Sequence, residues 1–324
     1  MSAEFEILGV GAVAVDEILR VASYPGEDTK VRVTAHERRF GGLVGNALAA
    51  AARLGACCAY AGVLGDDADS RFVREALESE GIDQSTILHD PAARPFHGTI
   101  VISESSGSRT VLSRLACPGT TQLKELPRAR VILIDHHFPA SACAALAQSR
   151  AAGAQVVADL ERSHERSGAL EALSDHLIVP RAYASARTGQ AEPHLAAAAL
   201  WELQRRLVVV TDGAAGCWFT EDGVIQHQGV FPVDAIETNG CGDVFHGAYA
   251  WAALQGCDLR ERVRIASIAA AVKASGRGLT ALRRSADLQA LSHRCASVDA
   301  NAASRGRPGA LSTVASQGCR SHPP

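Results

Sequence analysis

The sequence predicts an α/β domain: a three-layer α/β/α sandwich with a mainly parallel central sheet, and a small β-sheet lid beside it. Short β-type apolar runs alternate with alanine- and leucine-rich helical stretches, the pattern of βαβ units. Two further segments alternate residue by residue, as antiparallel hairpin strands do, which suits a small sheet outside the main one. The chain has 324 residues, 47% of them hydrophobic, enough for one large core.

In order along the chain, Ile7 to Val15 is expected as the first strand, Asn46 to Leu54 as a helix and Ala59 to Val63 as a strand. Asp69 to Glu80 repeats Phe72, Val73, Ala76 and Leu77 on one helical side. Strands follow at Val131 to Ile134 and Val156 to Ala158, separated by the helical stretch Ala140 to Ala152. Leu177 to Val179 and Leu207 to Val210 continue the series, with the helical stretch Pro193 to Arg206 between them, and a last helix is expected from Asp243 through Leu254. The alternating segments are Lys30 to Ala35 and Gly98 to Leu115. Thr99 and Val101 share a phase with Thr110 and Leu112, and Ser105-Ser106-Gly107-Ser108 is placed to turn the hairpin. One domain spans 1–296, with the lid drawn from 16–40 and 96–116. Residues 297–324 lose apolar periodicity and are expected to be a disordered tail.

The net charge of −3 argues against a nucleic-acid or membrane-surface partner, each of which needs a basic face. The start Met1-Ser2-Ala3-Glu4-Phe5-Glu6 lacks the basic-then-apolar pattern of a signal peptide, and no apolar run spans a bilayer, so a cytoplasmic location is expected. Nine scattered cysteines with no Cys-x-x-Cys pair read as reduced thiols, mostly buried, rather than a disulfide framework or zinc site.

Three glycine clusters carry chemistry. Gly240-Cys241-Gly242-Asp243 opens a helix, where free amides and the helix dipole form an anion site. Asp243 at its mouth could take the proton of an attacking hydroxyl; a tight turn with an N-capping aspartate explains the four residues about as well. Gly41-Gly42-Leu43-Val44-Gly45-Asn46 brings backbone and a small amide close to a polar ligand, or simply turns a strand into a capped helix. Val210 to Gly216 is a strand end and glycine turn, suited to a nucleotide or to a plain hairpin. Asp16 has two acceptor oxygens for sugar hydroxyls. His136-His137 follow a strand end, where open α/β sheets bind ligands, and read as polar residues at a substrate's edge.

In this order and spacing, these pieces resemble the ribokinase/PfkB family of carbohydrate kinases, from about residue 5 to residue 282. Gly41-Gly42-x-x-x-Asn46 with Gly62-x-x-Gly65-Asp66-Asp67 is similar to its first signature, and Glu237-Thr238-Asn239-Gly240-Cys241-Gly242-Asp243-Val244-Phe245-x-Gly247-Ala248 to its second. Gly216-Cys217-Trp218 and Asp243 to Ala248 resemble the sulfofructose-kinase branch. The resemblance implies the ribokinase-like fold and an ATP- and Mg2+-dependent kinase of a small-molecule sugar, paired as a homodimer through its lid. It implies Asp243 as base and Gly240, Cys241 and Gly242 as anion hole. Asp16, Gly41, Gly42 and Asn46 become sugar-binding, and Thr211, Gly213, Gly216 and Thr238 nucleotide-binding. Lys30 and Arg109, taken as lid-strand residues, could meet an anionic substituent, or be plain solvated edge charges. His137 falls where the sulfosugar branch has its sulfonate-reading arginine.

Two departures stand out. Glu237 replaces the aspartate that helps build a monovalent-cation site, which puts potassium activation in question. Pro180-Arg181-Ala182-Tyr183 stands where the family's Asn-x-x-Glu magnesium motif belongs, leaving Asp159 as an indirect metal contact. Two rival readings stay open: a nucleoside kinase on the same fold, and a non-catalytic sugar- or nucleotide-binding protein.

Overall fold

A computed structural model describes residues 5–201 and 207–282. The expected tail, 297–324, lies outside them, as does the end of the expected helix 193–206.

The strands are β1 (Phe5–Val10), β2 (Ala14–Val21), β3 (Val33–Gly41), β4 (Cys58–Tyr60), β5 (Val63–Leu64), β6 (Leu88–His89), β7 (Phe96–Ser103), β8 (Arg109–Arg114), β9 (Ala129–Asp135), β10 (Gln155–Asp159), β11 (His176–Pro180), β12 (Leu207–Thr211), β13 (Cys217–Glu221) and β14 (Val224–Gln228). The α-helices are α1 (Leu43–Arg53), α2 (Ala68–Ser79), α3 (Cys143–Ala151), α4 (Ser167–Leu173), α5 (Arg181–Thr188), α6 (Pro193–Leu200), α7 (Cys241–Leu254) and α8 (Leu259–Ala274).

The central sheet runs β14-β13-β12-β11-β10-β9-β1-β4, parallel from β4 to β12 with an antiparallel pair at one edge. Its strands alternate between two cores. Ile7, Val131 and Leu133 pack with Leu48, Leu77, Phe245 and Tyr249 on one face. Leu8, Ile132 and Ile134 pack with Leu146, Leu170 and Tyr183 on the other. Burial on both faces explains why these strands read as unbroken apolar runs. The α/β/α sandwich is therefore as expected.

The second sheet, β3-β2-β7-β8, is the lid. Thr99 faces Leu112 and Val101 faces Thr110, the pairs that the alternation marks, and Gly107 N–H bonds Ser103 O across the turn. Two expectations need correction. Ile7 to Val15 is not one strand: the chain leaves the main sheet after Val10 and enters the lid at Ala14, because Ala12 N–H bonds the buried Asp135 carboxylate at 2.7 Å. Lys30 lies on no strand; it is an exposed loop residue before β3. The thiols also differ from expectation: of seven free cysteines among the described residues, only Cys58 and Cys217 are buried. No helix among those residues is long and apolar enough to cross a membrane.

Candidate active site

The ends of β1, β9, β10 and β12 open on one edge of the sheet, where open α/β sheets bind ligands. Against this edge stands the start of α7, a helix buried nearly all round because it lies between α1, α8 and the sheet. Gly240 precedes it with φ 78°, a left-handed conformation that favours glycine. No side chain caps this helix. Cys241 N–H turns back to Thr238 O and Val244 N–H to Gly240 O, so the first-turn amides of Gly242 and Asp243 have no partner within the helix. Gly242 is exposed and Cys241 half-buried, so this amide cluster opens outward.

Asp243 is buried beneath that opening. Asn46, from α1, donates to its Oδ2 at 2.7 Å. Burial pushes the Asp243 carboxyl well above the usual carboxylate range, and the nearby Asp159 carboxylate pushes it further; Asn46 acts against both. Asp159, at the end of β10, is raised for the same first reason, with Glu161 and Asp135 adding to it. The His246 ring joins this group: Nδ1 lies 2.8 Å from Gly242 O and 3.3 Å from Asp159 Oδ2, and Nε2 lies 3.0 Å from Ile178 O. A hypothetical Cβ on Gly240 would be 3.7 Å from both Asn46 Nδ2 and Asp243 Oδ2, and 3.8 Å from Lys273 Cε. One point therefore gathers the Gly240 turn, the carboxylate, the amide and a lysine.

Asp16 lies within β2 of the lid. Its carboxylate sits between two glycines: a Cβ on Gly41 would come within 2.8 Å of Asp16 Cγ, and one on Gly98 within 2.6 Å of Oδ1. Burial raises its pKa to about 6, against the pull of His97 and Arg39. Gly42 is the N-cap of α1, with φ 91°. Arg109, at the exposed start of β8, reaches Thr238 Oγ1 at 3.3 Å, so the lid touches the segment that leads into α7.

Thr211 ends β12; Gly213 begins an exposed turn, and Gly216 closes it with φ 90° before β13. The side chains of 180–183, where the resemblance expects a magnesium motif, carry other bonds. Arg181 pairs with Asp212 at 3.2 Å, and Tyr183 is buried and donates to Glu171 at 2.7 Å.

His137 is half-buried, 4.3 Å from the Phe96 ring, and its pKa is lowered to about 4 by burial and then by Arg162. It lines a cavity of about 700 Å³ with Val13, Arg94, Phe96, Thr120 and Gln122. None of the other predicted site residues lines this cavity.

The structure adds groups that the sequence reading does not single out. Arg20 and Arg39 from the lid and Lys273 from α8 converge on Glu237. Alternation in β3 marks Arg39, beside Gly41, as facing one side of the lid; nothing local marks Arg20 or Lys273.

A model of the pfkB family of carbohydrate kinases matches residues 5–285. The ribokinase of Haemophilus influenzae is 24% identical over 284 residues, covering 83% of this chain and 92% of that protein. The nucleoside kinase of Methanothermobacter thermautotrophicus is 26% identical over 286 residues, covering 83% and 89%. Arabidopsis thaliana ribokinase, solved with ribose and ATP, shares the fold at a TM-score of 0.76 and 21% identity, covering 89% of this chain and 99% of its own. With nearly the whole described chain matched to one family of phosphotransferases, the chain belongs to the pfkB family of carbohydrate kinases.

Proposed function

We propose that this kinase transfers the γ-phosphate of ATP to a primary hydroxyl of a sugar or sugar derivative, with Asp243 as the base. The observation that carries this reading is the buried Asp243 carboxylate, held by Asn46 at 2.7 Å at the start of α7, where the first-turn amides of Gly242 and Asp243 have no partner within the helix. Phosphoryl transfer needs positioning and charge stabilisation more than covalent chemistry. Asp243 accepts the hydroxyl proton, and the amides stabilise charge on the phosphoryl group. Binding alone does not require a carboxylate buried against another carboxylate, which disfavours a non-catalytic role.

Asp16, in its glycine cradle, offers two oxygens to substrate hydroxyls, and Gly42 and Asn46 bring α1 to the same place. Thr211, Gly213 and Gly216 form the nucleotide side, and Thr238 links the anion loop to Arg109. Magnesium fits only as an ion carried by the nucleotide phosphates: no cluster of three His, Cys, Asp or Glu among the described residues could cage it. Mg2+ commonly keeps several waters, and Asp159 would offer it an outer contact. The lid carries Val111, Leu112 and Leu115 exposed, apolar surface consistent with a homodimer formed through it.

The cavity beside His137 and Arg94 gives room for a substituent beyond a bare pentose. A coupled ADP-release assay over ketoses, pentoses, acid sugars, sulfosugars and nucleosides tests this. The expected outcome is turnover with a sugar larger than a pentose. Exclusive use of nucleosides would move the assignment to a nucleoside kinase, and no turnover on any member would remove the catalytic reading.

The pH profile gives a second check. Asp243 must be ionised to accept a proton, so kcat/KM falls as pH drops through its raised pKa. Asp159→Asn removes a like charge beside it, so the acid limb should move to lower pH. An unmoved limb would show that the two carboxylates do not share this site.

A further inference from the structure

Lys273 lies in the last turn of α8 and is only 2% exposed. Its Nζ donates to the backbone carbonyl of Glu237 at 3.1 Å and to its Oε1 at 3.3 Å. A buried ammonium is costly unless oxygens replace its water. Here one residue supplies two such oxygens, and that residue leads into the loop from Thr238 to Asp243.

Neutralising Glu237 does not require Lys273. Arg39 already reaches both carboxylate oxygens at 2.9 and 3.0 Å, Gly278 N–H donates at 3.0 Å, and Arg20 approaches to 3.4 Å. Burial opposes ionisation of Glu237, yet Gly278 N–H, Lys273 and Arg39 together hold its pKa below the usual range. Arg20 and Arg39 also pair with Glu37. Lys273 is therefore a third cation on a carboxylate that two arginines already meet. Lys273 differs from the arginines in where it binds: it alone of the three holds the Glu237 carbonyl. Glu237 N–H is fixed to Ala274 O at 3.1 Å, so α8 grips this peptide from both sides.

We infer that the Lys273 ammonium is a built-in monovalent cation: it positions the anion loop through the Glu237 carbonyl and keeps a permanent positive charge beside it. The inference rests on the kinase reading above. Lys273 is a positioning residue, since it acts through Glu237. A free cation has no place in the native cluster, because the Glu237 carbonyl and both of its carboxylate oxygens already accept from Lys273, Arg39 and Gly278 N–H. Removing the ammonium leaves carbonyl and carboxylate oxygens around a small void, which is a site for K+ or NH4+.

The test compares wild type with Lys273→Met at constant ionic strength in KCl, NH4Cl, methylammonium chloride and tetramethylammonium chloride. Wild type is expected to turn over at rates within about twofold in all four, because its cation is covalently attached. In tetramethylammonium the variant should lose about 100-fold in kcat with little change in KM, as expected when support for an anion hole is removed. K+, NH4+ or methylammonium should restore about tenfold of that loss and raise the variant's melting temperature, while leaving that of wild type unchanged. Lys273→Gln, neutral but still able to donate to the carbonyl, serves if the methionine variant does not fold. The inference is overturned by a potassium requirement in wild type, by an undiminished variant, or by a loss that no small cation restores. If wild type turns over no substrate, the kinase reading fails. The melting temperatures then decide this inference alone: selective stabilisation of the variant by K+ or NH4+ upholds it, and equal response of both proteins overturns it.

Discussion

Asp243→Asn should lower kcat by about 10³-fold, near 4 kcal/mol of barrier, with affinity for the nucleotide unchanged. The substitution keeps the shape, and the Asn side chain can still accept from Asn46 through its carbonyl oxygen. What is lost is the proton acceptor. Stability gives a control that separates loss of chemistry from loss of fold. The folded-state pKa of Asp243 is raised, so the native state binds this proton more tightly than the unfolded chain does. Ionised Asp243 therefore destabilises the fold: the effect is absent below the unfolded-state pKa and complete once pH exceeds the folded one. At alkaline pH the asparagine variant should melt at or above the wild-type temperature while being catalytically inert. Retained turnover would remove Asp243 from the base role. An inert variant that also melts much lower would make the loss a folding effect.

Much of this site is legible along the chain, because its parts are local. The turn Gly240 to Gly242 and the carboxylate after it are contiguous, and the cluster Gly41 to Asn46 presents its glycines and amide within six residues. The lid pairs Thr99 with Leu112 and Val101 with Thr110 follow from period-two alternation. What escapes the sequence is convergence. Glu237 gathers Arg20, Arg39 and Lys273 from segments far apart in the chain, and no local pattern links them. Helix α8 buries Val263, Ala266, Ile268 and Val272 against different neighbours, so no single apolar stripe announces it. The break between β1 and β2 escapes for a similar reason: Val10, Val13 and Val15 read as one strand until the distant Asp135 takes the Ala12 amide. Lys30 shows the reverse error: the alternation starts at residue 30, but pairing with β2 begins only at Val33.

The contact between α1 and α7 sets the distance on which the proposed chemistry depends, and Gly247→Ala tests it. Alanine is the better helix former by about 1 kcal/mol, so propensity alone predicts stabilisation. Packing reverses the sign. A Cβ at residue 247 would stand 2.9 Å from the Ala47 carbonyl carbon, nearer still to its oxygen, and 3.0 Å from Ala50 Cβ. These are backbone and a methyl group fixed to a helix, and neither can rotate away. The helices must separate, at a net cost of about 2 kcal/mol, which for a chain of this size lowers the melting temperature by roughly 4 °C. Asn46 immediately precedes Ala47, and Asp243 lies one helical turn before Gly247. A shift of about 1 Å would stretch their 2.7 Å hydrogen bond past useful length and cost about 100-fold in kcat. Gly168→Ala is the matched control. It lies in α4, where a Cβ would meet only Arg187 Nη2 at 3.9 Å, so propensity should prevail and stability should rise. If Gly247→Ala behaves like Gly168→Ala in both melting temperature and kcat, the close approach of α1 and α7 does not hold Asn46 against Asp243. If it loses both, two helices that touch neither substrate nor nucleotide at residue 247 govern the reaction through the spacing they impose.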